Sequence, residues 1–260
     1  MAGKPTVGIY SFTGCEGCSL MILECEDQLL DVLELVEIVN FREGMDKIAD
    51  QVDVAFVDGA VSTSHDIQEL LEVRKNAKIV VALGACAWPG GLNVMKNFQD
   101  QEDVRRYVYG DKWAAYDAIP ARPIDRVVKV DYYIRGCPID RDEFLEVTQA
   151  ILMGRAPNIL NHPVCVECKL SDNPCRFDFG EVCLGPLARA GCKAICPSFG
   201  TKCEGCRGMV DEPATQAHRG VLEKYGLSVD DMMREYRLFG GWFWGGDLGV
   251  PDLPERATSK

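Results

Sequence analysis

The sequence predicts an α/β protein with a parallel sheet in residues 1–157, a smaller irregular cysteine-rich domain in residues 158–212, and a helical extension in residues 213–260. Short β-branched apolar runs alternate with helical stretches over roughly the first 150 residues, which is typical of parallel strands joined by crossover helices. Eight cysteines then lie between Cys165 and Cys206, with hardly any periodic apolar pattern around them. Such a segment needs an organiser other than an apolar core, and metal–thiolate bonds can supply one.

Five strands are predicted from apolar runs in the first region. They are Val7–Tyr10, Leu35–Asn40, Val52–Val57, Lys78–Leu83 and Val127–Ile134. Two helices are predicted between them, Ser19–Leu33 and Ser64–Lys75, because both segments carry apolar residues at helical spacing. Ser64, with Gln68 nearby, is the expected start signal of the second helix.

The remaining segments are less regular. Gly90–Pro123 is polar, aromatic and interrupted by proline, so we expect a long irregular connection without a functional site. Helical spacing returns after the cysteines and predicts helices Thr215–Tyr225 and Val229–Leu238. In the glycine- and tryptophan-rich tail that follows, Trp242-Phe243-Trp244 either anchors a partner subunit or packs on the chain's own domain.

Composition limits the classes of partner. The chain has 260 residues, 47% of them hydrophobic, which is enough for a real core. Its net charge of −12 would repel a phosphate backbone and argues against nucleic acid as a partner. The opening residues show no secretory leader, and no window reaches about eighteen uninterrupted apolar residues. We therefore expect a soluble cytoplasmic protein with no membrane span.

Thirteen cysteines in a chain without an export signal are expected to be reduced. The number is odd, which also disfavours a disulfide scaffold. Metal binding explains so many thiols better than cross-linking does.

Four cysteines follow three predicted strands. Cys15 and Cys18 form a C-x2-C after the first strand, Cys86 follows the fourth and Cys137 follows the fifth. Ligands of open parallel sheets collect beyond the carboxyl ends of the strands, so we expect these thiols to converge on one edge. They can complete a tetrahedral metal site or a four-iron cluster. The alternative is that Cys86 and Cys137 are small core residues beside a C-x2-C redox pair.

The other eight cysteines divide most simply along the chain into two quartets. The first is Cys165, Cys168, Cys175 and Cys183, and the second is Cys192, Cys196, Cys203 and Cys206. Structural zinc sites share the C-x2-C spacing, so spacing alone leaves zinc as an alternative to iron. The additional cysteine site on the parallel sheet favours iron, because three sites in one chain are more typical of a row of redox centres than of structural zinc sites.

Two further residues that could bind metal lie near these sets in the sequence. His162 precedes Cys165 by three residues and could replace one thiolate, although eight cysteines already suffice. Cys25 is the one cysteine outside the three quartets, and we interpret it as a packing residue on the helix that follows Cys18.

The order of these motifs resembles that of [NiFe]-hydrogenase small subunits. Thr13-Gly14-Cys15-Glu16-Gly17-Cys18-Ser19, Gly84-Ala85-Cys86-Ala87 and Arg135-Gly136-Cys137-Pro138 are similar to the proximal-cluster motifs of that family. The downstream octet, with Cys183-Leu184-Gly185-Pro186 and Gly191-Cys192, resembles the cytoplasmic multimeric subfamily linked to NAD(P) or related acceptors, the sulfhydrogenase delta-subunit type included.

This resemblance implies a flavodoxin-like sheet domain and three [4Fe-4S] clusters. Cys15, Cys18, Cys86 and Cys137 then match the proximal ligands. Cys192, Cys196, Cys203 and Cys206 match the medial ligands, and Cys165, Cys168, Cys175 and Cys183 the distal ligands. The implied partners are a large subunit that carries the nickel–iron site and a diaphorase or other iron–sulfur or flavin electron-transfer subunit. The implied role is that of a subunit in a hydrogen:NAD(P) or ferredoxin-type oxidoreductase.

The sequence departs from the wider family at two positions. Cys165 stands where periplasmic members carry a histidine ligand, which suits the cytoplasmic subfamily. Leu20 stands where many members have a glutamate, so no proton route is carried over to that position. The chain also lacks the paired C-x2-C motifs with which large subunits bind nickel, and it lacks a G-x-G-x-x-G after a strand. We therefore expect no hydrogen-splitting site, no catalytic acid or base, and no bound NAD or flavin.

Two rival functions remain from the sequence. One is a zinc-stabilised binding module without redox activity. The other is the related small subunit of quinone reductases, a family with adjacent cysteines in its first motif and without the downstream octet.

Overall fold

A computed structural model describes residues 4–26, 28, 34–46, 49, 51–244, 248 and 250. Its five β-strands are β1 (Thr6–Ser11), β2 (Glu37–Phe41), β3 (Val52–Asp58), β4 (Ala77–Leu83) and β5 (Tyr132–Ile134). The helices are α1 (Gly17–Leu23), α2 (Ser64–Asn76), α3 (Gly84–Ala87), α4 (Gln101–Tyr109), α5 (Arg141–Leu152), α6 (Val164–Leu170), α7 (Ile195–Ser198), α8 (Thr215–Lys224) and α9 (Val229–Trp244). Short 3-10 helices lie at Gly91–Phe98, Gly110–Ala115, Ile124–Arg126 and Arg176–Phe179.

The five strands form one parallel sheet in the order β2-β1-β3-β4-β5. In the centre of the sheet Val7 pairs with Val54 and Val54 with Ile79. This is the flavodoxin-like strand order, so the predicted fold class is confirmed. All strand ends that precede a cysteine motif therefore point to the same edge.

Apolar side chains cover both faces of the sheet, as near-continuous apolar strands require. On one face, Ile22 of α1 and Phe144 of α5 pack against the strands in a buried cluster. On the other face, Leu70 and Val73 of α2 do the same. The sheet is thus held between two helical layers by hydrophobic burial.

The structure corrects several predicted boundaries. The predicted helix Ser19–Leu33 is observed as Gly17–Leu23, and positions 27 and 29–33 lie outside the described residues. Only Tyr132–Ile134 of the predicted strand Val127–Ile134 pairs in the sheet. Gly90–Pro123 is not an irregular connection, since it contains α4 and two 3-10 helices.

The start signal of α2 is also different from the predicted one. Thr63 is the N-cap, and its hydroxyl accepts a hydrogen bond from Asp66 N while the Asp66 carboxylate accepts one from Thr63 N. Ser64 instead donates its amide to Asp117 at 2.7 Å. The capping box therefore begins one residue earlier and uses an aspartate where Gln68 was expected.

The cysteine-rich segment folds around a small core of its own. Val164, Phe177 and Ala194 are buried there together with Cys183 and Cys203. Leu222 of α8 completes this cluster. Thiols thus occupy positions that aliphatic side chains fill in an ordinary core.

Helix α9 returns to the sheet domain and bends at Gly240, whose backbone is not helical. Trp244 and Phe243 pack on Trp88, with ring centroids 5.9 and 5.6 Å away, and the Arg126 guanidinium lies 4.9 Å from the Phe243 ring. Of the two interpretations of this aromatic cluster, packing on the chain's own domain is therefore the one observed. Among the described helices, none is both long and apolar enough to cross a bilayer.

Candidate metal centre

The first quartet converges at the carboxyl edge of the sheet. Cys18 lies in the first turn of α1, Cys86 in α3 directly after β4, and Cys137 three residues after β5. A hydrogen bond of 2.7 Å from Ala85 N to Gly136 O joins the second and third of these segments. Cys15 completes the set from the loop after β1, and it and Cys137 are exposed.

Two glycines make room for the thiols of this quartet. Gly84 has a φ of +73°, and a Cβ there would collide with Cys18 Sγ and lie 3.3 Å from Gly136 O. A Cβ on Gly17 would lie 3.3 Å from Cys15 Sγ. The glycine backbone therefore forms a cradle against the sulfurs of Cys18 and Cys15.

A buried carboxyl group at this edge of the sheet affects the pKa of the neighbouring thiols. Asp58, at the end of β3, is buried, and burial raises its pKa to about 6 although a 2.7 Å hydrogen bond from Gly59 N lowers it. Burial also raises the pKa of Cys86 to about 12, and Asp58, Cys137 and Cys15 raise it further. Without a metal the Cys86 thiol is protonated at neutral pH, so metal binding must release its proton.

The second quartet gathers around α6 and the loop after it. Burial raises the pKa of Cys165 to about 12, and the neighbouring thiols of Cys183, Cys168 and Cys175 raise it further. A Cβ on Gly185 would lie 3.3 Å from Cys165 Sγ and 3.4 Å from Cys183 Sγ. The structure thus brings together the four cysteines that the simplest division of the chain assigned to one site.

The third quartet lines a cavity of about 350 Å³ between the sheet domain and the cysteine-rich segment. Burial raises the pKa of Cys206 to about 12, and the charges of Cys192, Cys137 and Cys196 raise it further. Cys203 is buried as well. The cysteines that line the cavity are Cys137, Cys192, Cys196, Cys203 and Cys206.

The three quartets adjoin one another in a fixed order. Cys206 and Cys137 line the same cavity, which links the third quartet to the first. Cys203 N donates to Cys183 Sγ at 3.4 Å, which links the third quartet to the second. The third quartet therefore lies between the other two.

Residues that the sequence did not single out hold these loops. Asn93, in the stretch expected to carry no site, donates to Thr13 O at 3.2 Å, and its side chain also hydrogen-bonds Cys86. Glu167 accepts hydrogen bonds from Gly191 N at 2.8 Å and Ala194 N at 3.1 Å. Their position between or next to cysteines in the chain was the only signal that could have found them.

The two remaining candidates stand apart from the quartets. The His162 ring forms a hydrogen-bond contact with Pro163 O, at 3.4 Å. Cys25 is buried in the core of the sheet domain, where its thiol lies 3.6 Å from Met21 O, as expected of a packing residue.

The donor sets fit iron–sulfur clusters. Within the described residues, no three His, Cys, Asp or Glu side chains come close enough together to hold a single metal ion. Five cysteines instead help to line a cavity of about 350 Å³, and the backbone at Gly84 and Gly185 lies directly against cysteine sulfurs. Cysteine thiolates in sets of four are the ligands that four-iron clusters take.

Comparison with known proteins agrees with this geometry. The model of the family described as NADH ubiquinone oxidoreductase, 20 Kd subunit, matches residues 15–151, which is more than half of the chain. The matched segment contains Cys15, Cys18, Cys86 and Cys137. The chain belongs to this family.

Two relatives that align with about nine-tenths of this chain are hydrogenase subunits. The chain is 35% identical to sulfhydrogenase 2 subunit delta of Pyrococcus furiosus over 91% of this chain and 99% of that protein. It is 31% identical to a vhu subunit of the F420-non-reducing hydrogenase of Methanococcus voltae over 90% of this chain and 92% of that protein.

A solved structure extends this result. A chain of the NAD+-reducing [NiFe]-hydrogenase in the H2-reduced state superposes with a TM-score of 0.54 at 28% identity, over 60% of this chain and 95% of that one. This family member is therefore a hydrogenase small subunit, and its enzyme is an oxidoreductase. The resemblance inferred from the cysteine motifs is confirmed.

Proposed function

We propose that this chain conducts electrons from the nickel–iron site of a partner large subunit through three [4Fe-4S] clusters to a diaphorase or other iron–sulfur or flavin subunit. When bound, each cluster would accept and release one electron at a time. Cys15, Cys18, Cys86 and Cys137 would hold the proximal cluster. Cys192, Cys196, Cys203 and Cys206 would hold the medial one, and Cys165, Cys168, Cys175 and Cys183 the distal one.

The contact of each quartet with the next carries this proposal. Cys206 and Cys137 line one cavity and Cys203 N donates to Cys183 Sγ at 3.4 Å, so neighbouring quartets lie next to each other. Electron tunnelling falls steeply with distance, and such short separations favour conduction along the row. Exposed Cys15 and Cys137 place the proximal end at the surface, where a large subunit can reach it.

The chain's own contribution is to hold the sulfurs and exclude water from them. Buried Cys18, Cys183 and Cys203 keep each site partly desolvated, which together with hydrogen bonds to sulfur sets a cluster's potential. No side chain is required as an acid or base. We also propose the division at 157/158 and 212/213 as the functional one, and a cytoplasmic location for the complex.

The family match by itself also admits the quinone-reductase rival. That match ends at residue 151, before the first cysteine of the octet, whereas the hydrogenase relatives align over nine-tenths of the chain. The octet therefore favours the hydrogenase role. Mass spectrometry of the native complex would identify the neighbouring subunits and so distinguish NAD(P), a deazaflavin and a ferredoxin as the final acceptor.

Anaerobic metal analysis of the native complex tests the proposal. Three complete quartets predict about twelve irons for each copy of this chain. Zinc in place of iron, or only about four irons, would contradict it. The isolated chain, freed of large subunit, should not oxidise hydrogen with a dye acceptor, because its sequence has no nickel-binding motif.

A further inference from the structure

A buried arginine stands between the first and third cysteine quartets. Arg207 directly follows Cys206 and is only 2% exposed. Its Nε donates to Ala190 O at 2.8 Å, its Nη1 to Arg135 O at 2.5 Å, and its Nη2 to Glu143 Oε1 at 2.7 Å. A guanidinium this deeply buried is stable only when its donors are used in this way.

The three acceptors belong to different parts of the site. Arg135 precedes Gly136-Cys137 of the proximal motif, and Ala190 precedes Gly191-Cys192 of the medial motif. Glu143 belongs to α5, which packs on the sheet. One side chain therefore joins the proximal loop, the medial loop and the sheet domain.

The guanidinium also lies directly against the medial loop. Gly191 has a φ of +114°, and a Cβ there would stand 2.9 Å from Arg207 Cζ. The Glu167 carboxylate accepts hydrogen bonds from the Gly191 and Ala194 amides of the same loop. Cys192 is thus flanked by one positive and one negative buried or half-buried charge.

We propose that Arg207 is a positioning residue that fixes the medial cysteines against the proximal motif and whose positive charge raises the reduction potential of the medial cluster. Reduction adds negative charge to a cluster, and a cation in a poorly screened interior stabilises that state. The negative charge of Glu167, which stands between the distal cysteines Cys165 and Cys168 in the chain, lowers the potential of the same cluster. This inference rests on the proposed function.

Redox titration of the native complex by electron paramagnetic resonance tests it. The medial signal is first assigned as the one altered by Cys196→Pro. The key comparison is Glu143→Gln against the double variant Arg207→Gln with Glu143→Gln, because the two differ only at residue 207 and neither leaves a buried carboxylate unpaired. Arg207→Lys keeps the charge but loses the planar fork.

We expect the double variant to have a lower medial potential than both the parent and Glu143→Gln, with the distal potential unchanged and iron content full. Arg207→Lys should stay near the parent. An unshifted medial potential in the double variant, or an Arg207→Lys shift as large as that of the double variant, would overturn the inference. Loss of the medial signal from every Arg207 variant, Arg207→Lys included, would show that Arg207 only holds the loop in place, and would overturn the inferred effect of its charge. A parent complex without iron–sulfur signals would instead overturn the proposed function.

Discussion

At the scale of single residues, glycines decide how closely the thiols can approach one another. Gly84 and Gly136 both have positive φ angles, +73° and +138°, and each lies at the start of a segment that carries a cysteine. A side chain at either position would occupy space that sulfur or backbone now fills. The cysteines supply the ligands, but these glycines set their separation.

Gly84→Ala should remove the proximal cluster. The new Cβ would collide with Cys18 Sγ, so we expect the loss of about a third of the iron if three equal clusters are present. Gly226→Ala is the matched control, since Gly226 has a φ of +70° and no atom lies within 4 Å of the place that its Cβ would take. Both variants carry the cost of about 1–2 kcal/mol for a left-handed alanine, so only the collision differs. Full iron in Gly84→Ala would contradict the cradle.

Cys196 gives a second test at this scale. It lines the cavity of the third quartet with Cys192, Cys203 and Cys206. Cys196→Pro in the native complex should give a new three-iron signal after mild oxidation, because one of four ligands is lost. Cys25→Ala, which changes a core thiol, should leave the signals as they are. A three-iron signal already present in the undamaged parent would refute a four-iron medial centre.

At the scale of elements, α9 fastens the end of the described chain to the sheet domain. The bend at Gly240 turns its last residues toward Trp88. Trp88 in turn packs edge-on against Tyr133 and lies beside the Arg135 guanidinium, 4.3 Å from the ring centroid. The helix thus supports the segment from which Cys137 projects.

Trp244→Ala should destabilise the chain itself. Loss of a half-buried tryptophan that packs edge-on against Trp88 should cost about 2 kcal/mol, which lowers the midpoint of thermal unfolding by roughly 4–8 °C. Tyr107→Ala serves as the control because that ring is 91% exposed. Weaker binding of a partner subunit with an unchanged midpoint would show instead that Trp244 is an interface anchor.

At the scale of the whole molecule, two kinds of core lie side by side. The sheet domain is held by aliphatic and aromatic side chains on both faces, whereas the cysteine-rich segment has thiols among its few buried apolar residues. The first core needs no metal. The second is expected to need it, because a small apolar cluster rarely folds a segment of that length alone.

Removal of iron should therefore loosen one region and spare the other. After anaerobic chelation of the full chain, backbone amides of β3 and β4 should keep their protection from hydrogen exchange. Amides between Cys165 and Cys206 should lose theirs. Equal loss in both regions would contradict the view that only the second core depends on metal.

The fold and the quartets were largely predictable from the sequence, because both rest on local patterns. Apolar runs predicted all five strands, and the place of Cys86 and Cys137 after strands predicted their convergence. The capping residue of α2 and the helix within Gly90–Pro123 were missed. Thr63 and Asp66 have the T-x-x-D spacing of a capping box, a local signal that the prediction overlooked, whereas α4 has no buried residue to give it a clear apolar face.

The sequence by itself determined that Cys15, Cys18, Cys86 and Cys137 gather at one edge of the sheet, since chain order and strand direction fix this. Only the tertiary structure decided the order of the sites in space and what lies between them. Cys206 and Cys137 line one cavity, and Arg207 reaches Arg135 across 72 positions of the chain. The physical reason is that spacing along the chain encodes ligands of one site, whereas contacts between sites depend on how separately folded segments pack.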